Sequence, residues 1–523
     1  MIQRRLYLYI VAGASLAMLL VGLSNLGTTA IDQVLGTGGP APSPRDAYAG
    51  FGAMTLVGLP VFVLHWGIAQ RLSARHAEER TSSLRRLYLY LAMAAIAIAL
   101  TVFLRRLLEG GFAALGGSAP VADAIAGSAW ISIVLLAFWL YHLRVAAQDR
   151  LAVGEEGAGA TLRRWYSYGL LLLGLALLLF GAQSLLQQLW VLLVDRQHTL
   201  SSGVGIASAL ATTLIGLAVW TFHSLLTGSS SIAEDDRPSA LRAVAGFLAL
   251  AVSVVLALIG ASRLLYYALA RVLGLAHPGG VGDDLLVAVA APGSAVIVFG
   301  FAWVWLRAQL ARDAGQVEGP RRSGVRRVYT HLVAFLALAT LAVGAAGLLW
   351  TLSDQLLTPL TGLTAGEWRD RTSLFITLAV VGTPMWMLHW RAWPPAVERQ
   401  ALSRRLYLYA SLLGSVLALL ASGATLVYRL LGILLNASTA ASGAAVVDIG
   451  RATSVIAVAA ALGLYHWRVL GRDGAARPAE APDLPSRPAA ISIEVRGAAE
   501  EQVRRLLQGL PEGATYSIRR LPG

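Results

Sequence analysis

The run Arg404-Arg405-Leu406-Tyr407-Leu408-Tyr409 opens a segment that passes through an apolar span, a loop and a second apolar span before closing on Tyr465-His466-Trp467-Arg468. Each span is about 20 residues, the length of helix that crosses a hydrocarbon layer of about 30 Å. The runs are continuous rather than alternating, which selects helices over barrel strands, because a helix satisfies its backbone polar groups internally. The expected unit is a helical hairpin for a lipid bilayer.

Read outward from this copy, the hairpin recurs six times. First helices open at Arg4-Arg5-Leu6-Tyr7, Arg85-Arg86-Leu87-Tyr88, Arg163-Arg164-Trp165-Tyr166, a degraded Leu241-Arg242, Arg326-Arg327-Val328-Tyr329 and Arg404-Arg405-Leu406-Tyr407. Second helices are expected to close at His65, His142, His223, Trp305, His389 and His466. The twelve spans fall near 6–26, 47–66, 87–104, 121–142, 165–186, 203–223, 243–262, 285–306, 328–350, 372–390, 406–427 and 449–467. The first is too long for a signal-peptide core and matches later segments, so it reads as a spanning helix. Copies two, four and six share an Arg and a following Asp after the column (Arg144 and Asp149, Arg307 and Asp313, Arg468 and Asp473) and an Arg-Leu-Leu at Arg106, Arg263 and Arg429. Copies one and five share a proline before the histidine. The larger period is four helices: membrane repeats at 1–155, 156–316 (divergent) and 317–474.

Composition agrees with an apolar solvent. Hydrophobic residues make up 56% of the chain, charged residues 14%, and mean hydropathy is +0.64. The formal charge of +13 comes from arginine alone, since the sequence holds no lysine, and that usage with abundant alanine suggests a GC-rich genome. Basic excess in such a chain reads as topology rather than nucleic-acid binding. Of the 42 arginines, 23 lie between hairpins or at the N-terminus, 10 lie inside hairpins and 9 follow Trp467. The positive-inside rule then puts both termini and the Arg-Arg-x-Tyr edge in the cytoplasm. With no cysteine, disulfides, thiolate metal sites and cysteine nucleophiles are excluded.

After the last span, 475–490 is a proline-rich linker, with Pro478, Pro482, Pro485 and Pro488. Residues 491–523 read as a small β-α-β cytoplasmic tail: a strand at Ile491-Ser492-Ile493-Glu494-Val495, a helix from Ala498 to Gln508 and a strand from Thr515 to Ile518. So short a piece buries little core alone, which points to self-association or a protein partner.

Candidate chemistry concentrates at three places. Histidines His65, His142, His223, His389 and His466 form a column next to Trp and Arg; it reads as an interfacial belt, with haem or metal ligation, or binding of an anionic headgroup or nucleotide, as the alternatives. The paired arginines Arg4, Arg5, Arg85, Arg86, Arg163, Arg164, Arg326, Arg327, Arg404 and Arg405 sit where the helix dipole disfavours them, so insertion topology and contact with lipid phosphate are the expected reasons. Pro60, Pro292 and Pro384 are expected to kink their helices. At the far mouths, Asp46, Asp123, Asp284, Asp370 and Asp448 read as caps, with ion pairs from Arg106, Arg263 and Arg429 to the nearest of them as a further option.

No span carries Asp, Glu, Lys or Arg near its middle, which argues against proton- or ion-coupled pumping and against a carboxylate dyad. Phosphate loops, dinucleotide fingerprints, His-Glu-x-x-His and Gly-x-Ser-x-Gly are absent from the sequence.

The Arg-Arg-x-Tyr openings and His-Trp endings resemble a bacterial polytopic family, the domain of unknown function 5671. The likeness covers residues 3–474 and weakens at 242–246 and at Trp305. It implies a membrane module and supplies no catalytic residues. The chain is expected to be an all-α integral membrane protein of the cell membrane, in contact with lipids, without a cofactor, and acting as a non-enzymatic scaffold or sensor through its tail. A transporter or channel for a small or lipid-like solute is the alternative, and a haem-binding redox protein the third reading.

Overall fold

The computed structural model describes residues 2–36, 43–117, 122–195, 203–228, 232, 236, 239–275, 278, 284–313, 320–361, 367–435, 443–475 and 501. Among these the chain is all helical. Twelve helices are long and apolar enough to cross a membrane. They are α1 Ile2–Leu35, α2 Pro44–Arg75, α3 Ser83–Leu115, α4 Ala122–Val153, α5 Gly157–Val194, α6 Gly203–Gly228, α7 Ala240–Val272, α8 Ala290–Asp313, α9 Pro320–Leu357, α10 Trp368–His389, α11 Leu402–Leu434 and α12 Gly443–Ala475. One-turn helices Ala77–Arg80, Leu285–Ala288 and Ala396–Arg399 lie between them. The linker and the expected β-α-β tail lie outside the described residues, apart from Ala475 and Glu501.

Local chemistry sets the ends. Ser43 accepts a hydrogen bond from the Asp46 backbone N–H with Pro44 in the first turn, and Asp284 accepts from the N–H groups of Leu286 and Val287. Gly117 and Gly274, with φ of +81° and +83°, turn the chain just past α3 and α7, a conformation that a Cβ would strain.

The helices outrun the expected spans. At 1.5 Å per residue, α1 with its 34 residues is about 51 Å long. The second helices do not close at the histidine column, as expected, but continue to Arg75, Val153, Gly228 and Ala475; only α10 stops there, at His389. The residues after the column keep helical spacing although they turn polar, whereas Pro394 and Pro395 soon after α10 cannot extend a helix.

Consecutive helices pair, α1 with α2, α5 with α6 and α9 with α10 most extensively. Each of these hairpins brings two glycines to the contact. Gly58, Gly216 and Gly382 lie seven residues before the histidine column, and Gly22, Gly181 and Gly344 lie fifteen after the motif tyrosine. A Cβ on Gly58 would stand 2.9 Å from the Leu19 backbone nitrogen, and one on Gly382 would stand 2.7 Å from that of Leu341. The backbones meet directly there, as small residues at a helix contact allow. In the first and second units the pairing pattern is the same: α1 also packs on α3 and α4, and α5 on α7 and α8. Between units, α3 packs on α5 and α6, and α7 packs on α9 and α10.

Candidate functional site

In five of the six hairpins the tyrosine of the opening motif and the histidine of the column are partners. Tyr7 Oη lies 3.2 Å from His65 Nε2, Tyr88 3.2 Å from His142, Tyr166 3.4 Å from His223 and Tyr407 3.0 Å from His466. Tyr329 and His389 meet as an edge-on pair with centroids 6.0 Å apart. In the same four pairs His Nδ1 faces the carbonyl one turn back, at 2.8–2.9 Å (Val61, Phe138, Val219 and Leu462). A carbonyl can only accept, so Nδ1 carries the hydrogen and Nε2 accepts from the tyrosine. Both ring nitrogens are thus spent inside the fold.

His142 and His466 are fully buried and His223 is 3% exposed. The expected interfacial belt is corrected for these three: between five and eleven further residues of helix, and the facing tyrosines, cover them. Tryptophans complete the sets. Trp139 Nε1 donates to Tyr166, and Trp386 Nε1 donates to Tyr407, joining each hairpin to the next. Trp66 and Trp390, which follow the histidines of copies one and five, donate to Tyr141 and Tyr465, pack against the rings of Tyr88 and Tyr407, and lie under the guanidinium groups of Arg85 and Arg404 at 5.3 and 4.5 Å.

Lipid contact is overturned for four of the ten arginines. Arg85, Arg86, Arg163 and Arg404 are buried, with exposures of 1–4%. Arg85 pairs with Asp149 at 2.6 Å; Glu155 bridges Arg86 and Arg163 at 3.3 and 2.9 Å; Asp236 accepts from Arg163 and Arg164; Arg404 donates to the carbonyls of Arg391 and Ala392. Arg4 and Arg5 both bind Glu79. Burial alone would raise the carboxyls of Glu79 and Asp236, but hydrogen bonds and charge from Arg5 and Arg4, and from Arg163 and Arg164, outweigh it and hold both below the ordinary carboxylate range. The acids Glu79, Glu155 and Asp236 were not singled out from sequence; their signal is an acidic pair in the loop between hairpins, at Glu78-Glu79, Glu155-Glu156 and Asp235-Asp236. Arg326 is exposed, and Arg327 and Arg405 are half-buried.

At the other edge, the expected pair Arg429–Asp448 forms at 2.5 Å, and Arg451 joins Asp448 to Asp354, which also accepts from Arg371. Arg263 instead donates to Tyr267, and Arg106 lies over Phe103. Asp284 is a cap as expected, while Asp370 accepts from Tyr266. The side chain of Asp123 lies outside the described residues. Pro60 and Pro384 sit inside unbroken helices, whereas the helix is interrupted at Val289, just before Pro292.

Two recesses open at the arginine edge. One of about 510 Å³ in the first unit is lined by Gln70, Ser73, Arg80, Tyr141, Arg144 and Asp149; the other, of about 200 Å³, lies in the second unit. Among the described residues no group of three or more His, Cys, Asp or Glu is placed to hold a metal ion. The family model for the domain of unknown function (DUF5671) matches the chain three times, at residues 5–137, 164–291 and 327–453. No curated protein and no solved structure matches.

Proposed function

The chain belongs to the family of the domain of unknown function DUF5671, in three tandem copies, and from that premise we propose that it is a multi-pass membrane scaffold or sensor without catalytic chemistry. The observation that supports this reading is the use made of its signature groups. Tyrosine, histidine, tryptophan and buried arginine bind one another across hairpins, and so they hold the helices together rather than line a path. Apolar side chains such as Leu406, Leu413, Leu417 and Leu420 point outward along α11, a surface suited to lipid. The arginine edge is assigned to the cytoplasmic side of the cell membrane, where Arg4 and Arg326 face lipid phosphate and residues 491–523 reach a protein partner or a second copy. Deleting 491–523 is expected to leave the helical protein in the membrane fraction while removing crosslinked partners; unchanged crosslinking sinks the proposal.

A transporter or channel for a small or lipid-like solute is the second reading. Its support is Pro60 and Pro384, at matching positions of α2 and α10, each of which frees a carbonyl within a span. Pro384→Ala should then change flux in proteoliposomes more than abundance. The haem reading loses its support, because four column histidines have no nitrogen left for iron.

A further inference from the structure

The second recess occupies the place that two aromatic side chains fill elsewhere in this chain. Geometry sets the equivalences: Arg242 and Ala245 line one recess with Ser224 and Trp305, as Arg85 and Tyr88 meet Trp66, and Tyr88 meets His142, in the first unit. The histidine column aligns Trp66 with Ser224 and His142 with Trp305, and the opening motifs align Tyr9 with Tyr168. In the first unit Tyr9 stacks on Tyr88 at 5.6 Å, Tyr88 packs at a tilt on Trp66 at 4.9 Å, and Arg85 lies over Trp66. The third unit repeats this with His331, Tyr407, Trp390 and Arg404. In the second unit Tyr168, Ser224, Arg242, Ala245 and Trp305 all line one cavity of about 200 Å³.

An indole and a phenol have been deleted from one unit of three while the frame around them stays. Larger rings at two neighbouring positions, Trp220 for Phe62 and Trp305 for His142, recover part of the space, yet a void several waters in size remains. A recess open at one edge fills with water, and its aromatic walls gain contacts when a ring displaces that water. The walls are not purely apolar either: Ser224, Thr227, Gln309 and Arg242 face it beside Trp220 and Trp305. Exposed Gly228 and Gln309 give it a mouth at the arginine edge.

We propose that the second unit binds a small planar aromatic molecule of the indole or phenol class, which takes the place of the missing side chains, with its ring face towards Arg242 and its polar atom within reach of Ser224 or Gln309. The divergence of this unit is then a gain of a receptor site rather than decay. The inference goes beyond the scaffold or sensor reading and stands whether or not the tail recruits a partner.

The test is fluorine NMR of 5-fluoroindole and 4-fluorophenol with the purified full-length protein in detergent, against a fluorinated cyclohexane of similar size. Saturable broadening of the aromatic probes, at least tenfold tighter than any effect on the cyclohexane, is expected. The double variant Ser224→Trp with Ala245→Tyr rebuilds the first unit's stack and should abolish the broadening while raising the melting temperature. Ala245→Phe, a smaller change, carries the same test if the double variant does not fold, with a loss of at least tenfold. No saturable broadening at millimolar probe, equal broadening by the cyclohexane, or undiminished broadening in the filled variants overturns the proposal.

Discussion

Replacing Tyr407 by Phe removes one oxygen that two other groups use: it accepts from Trp386 Nε1 at 2.9 Å and donates to His466 Nε2 at 3.0 Å. Leaving buried polar partners unsatisfied costs about 1–3 kcal/mol, towards the low end between apolar helices. Tyr88→Phe orphans His142 alone, so it should cost less; detergent-titration unfolding of the two variants checks the order, and equal losses would deny the shared hydroxyl its role. At the arginine edge the sign of the pH response follows from the depressed carboxyls of Glu79 and Asp236. Their contribution is fully present above the unfolded carboxylate pKa of about 4 and is lost as pH falls through the lower folded values. Glu79→Gln and Asp236→Asn should each flatten the acid limb of a stability profile while leaving its shape near pH 8 unchanged. The residue types at these places were legible in the sequence as columns, but not their partners. Tyr7 and His65 are far apart in the chain, and only the antiparallel return of α2 along α1 brings them level.

The hairpins depend on glycine where backbones touch. A Cβ on Gly382 would meet the Leu341 nitrogen at 2.7 Å and the Ala337 carbonyl oxygen at 3.0 Å, whereas one on Gly414 would meet nothing within 4 Å. Gly382→Ala should therefore cost about 1–3 kcal/mol by forcing α9 and α10 apart, while Gly414→Ala should be neutral or stabilise by up to about 1 kcal/mol through helix propensity. Melting curves of the two variants decide, and a benign Gly382→Ala would mean that the helices are not held at this distance. The glycines were visible in the sequence only as scattered small residues. Their recurrence, one on each helix of hairpins one, three and five, emerges once the histidine column and the motif tyrosine are used as rulers, because packing distance leaves no trace in hydropathy. The same limit explains the helix ends. Apolar length marks where a helix is buried in lipid, and helical hydrogen bonding continues beyond that point wherever no proline intervenes.

At the scale of the whole molecule, orientation is the property with the sharpest test, and the absence of cysteine makes it direct. Leu115 and Leu151 are both exposed and lie at opposite ends of the second hairpin. With the arginine edge inside, Leu115→Cys should react with an impermeant maleimide in intact cells and Leu151→Cys only after permeabilisation; the reverse pattern would invert the topology. The sequence by itself determined the helical class, the twelve apolar segments, their pairing into six hairpins and the membership in a repeated module. All of these follow from local quantities: run length, hydropathy and the recurrence of short motifs. Only the tertiary structure decided what the motifs are for. Which arginines are buried against Asp149, Glu155 and Asp236, which rings share a hydroxyl, and where the second unit lacks the stack that its neighbours possess all depend on side chains from four helices meeting at one level. That convergence is set by how backbones pack in three dimensions, and no window along the chain contains it.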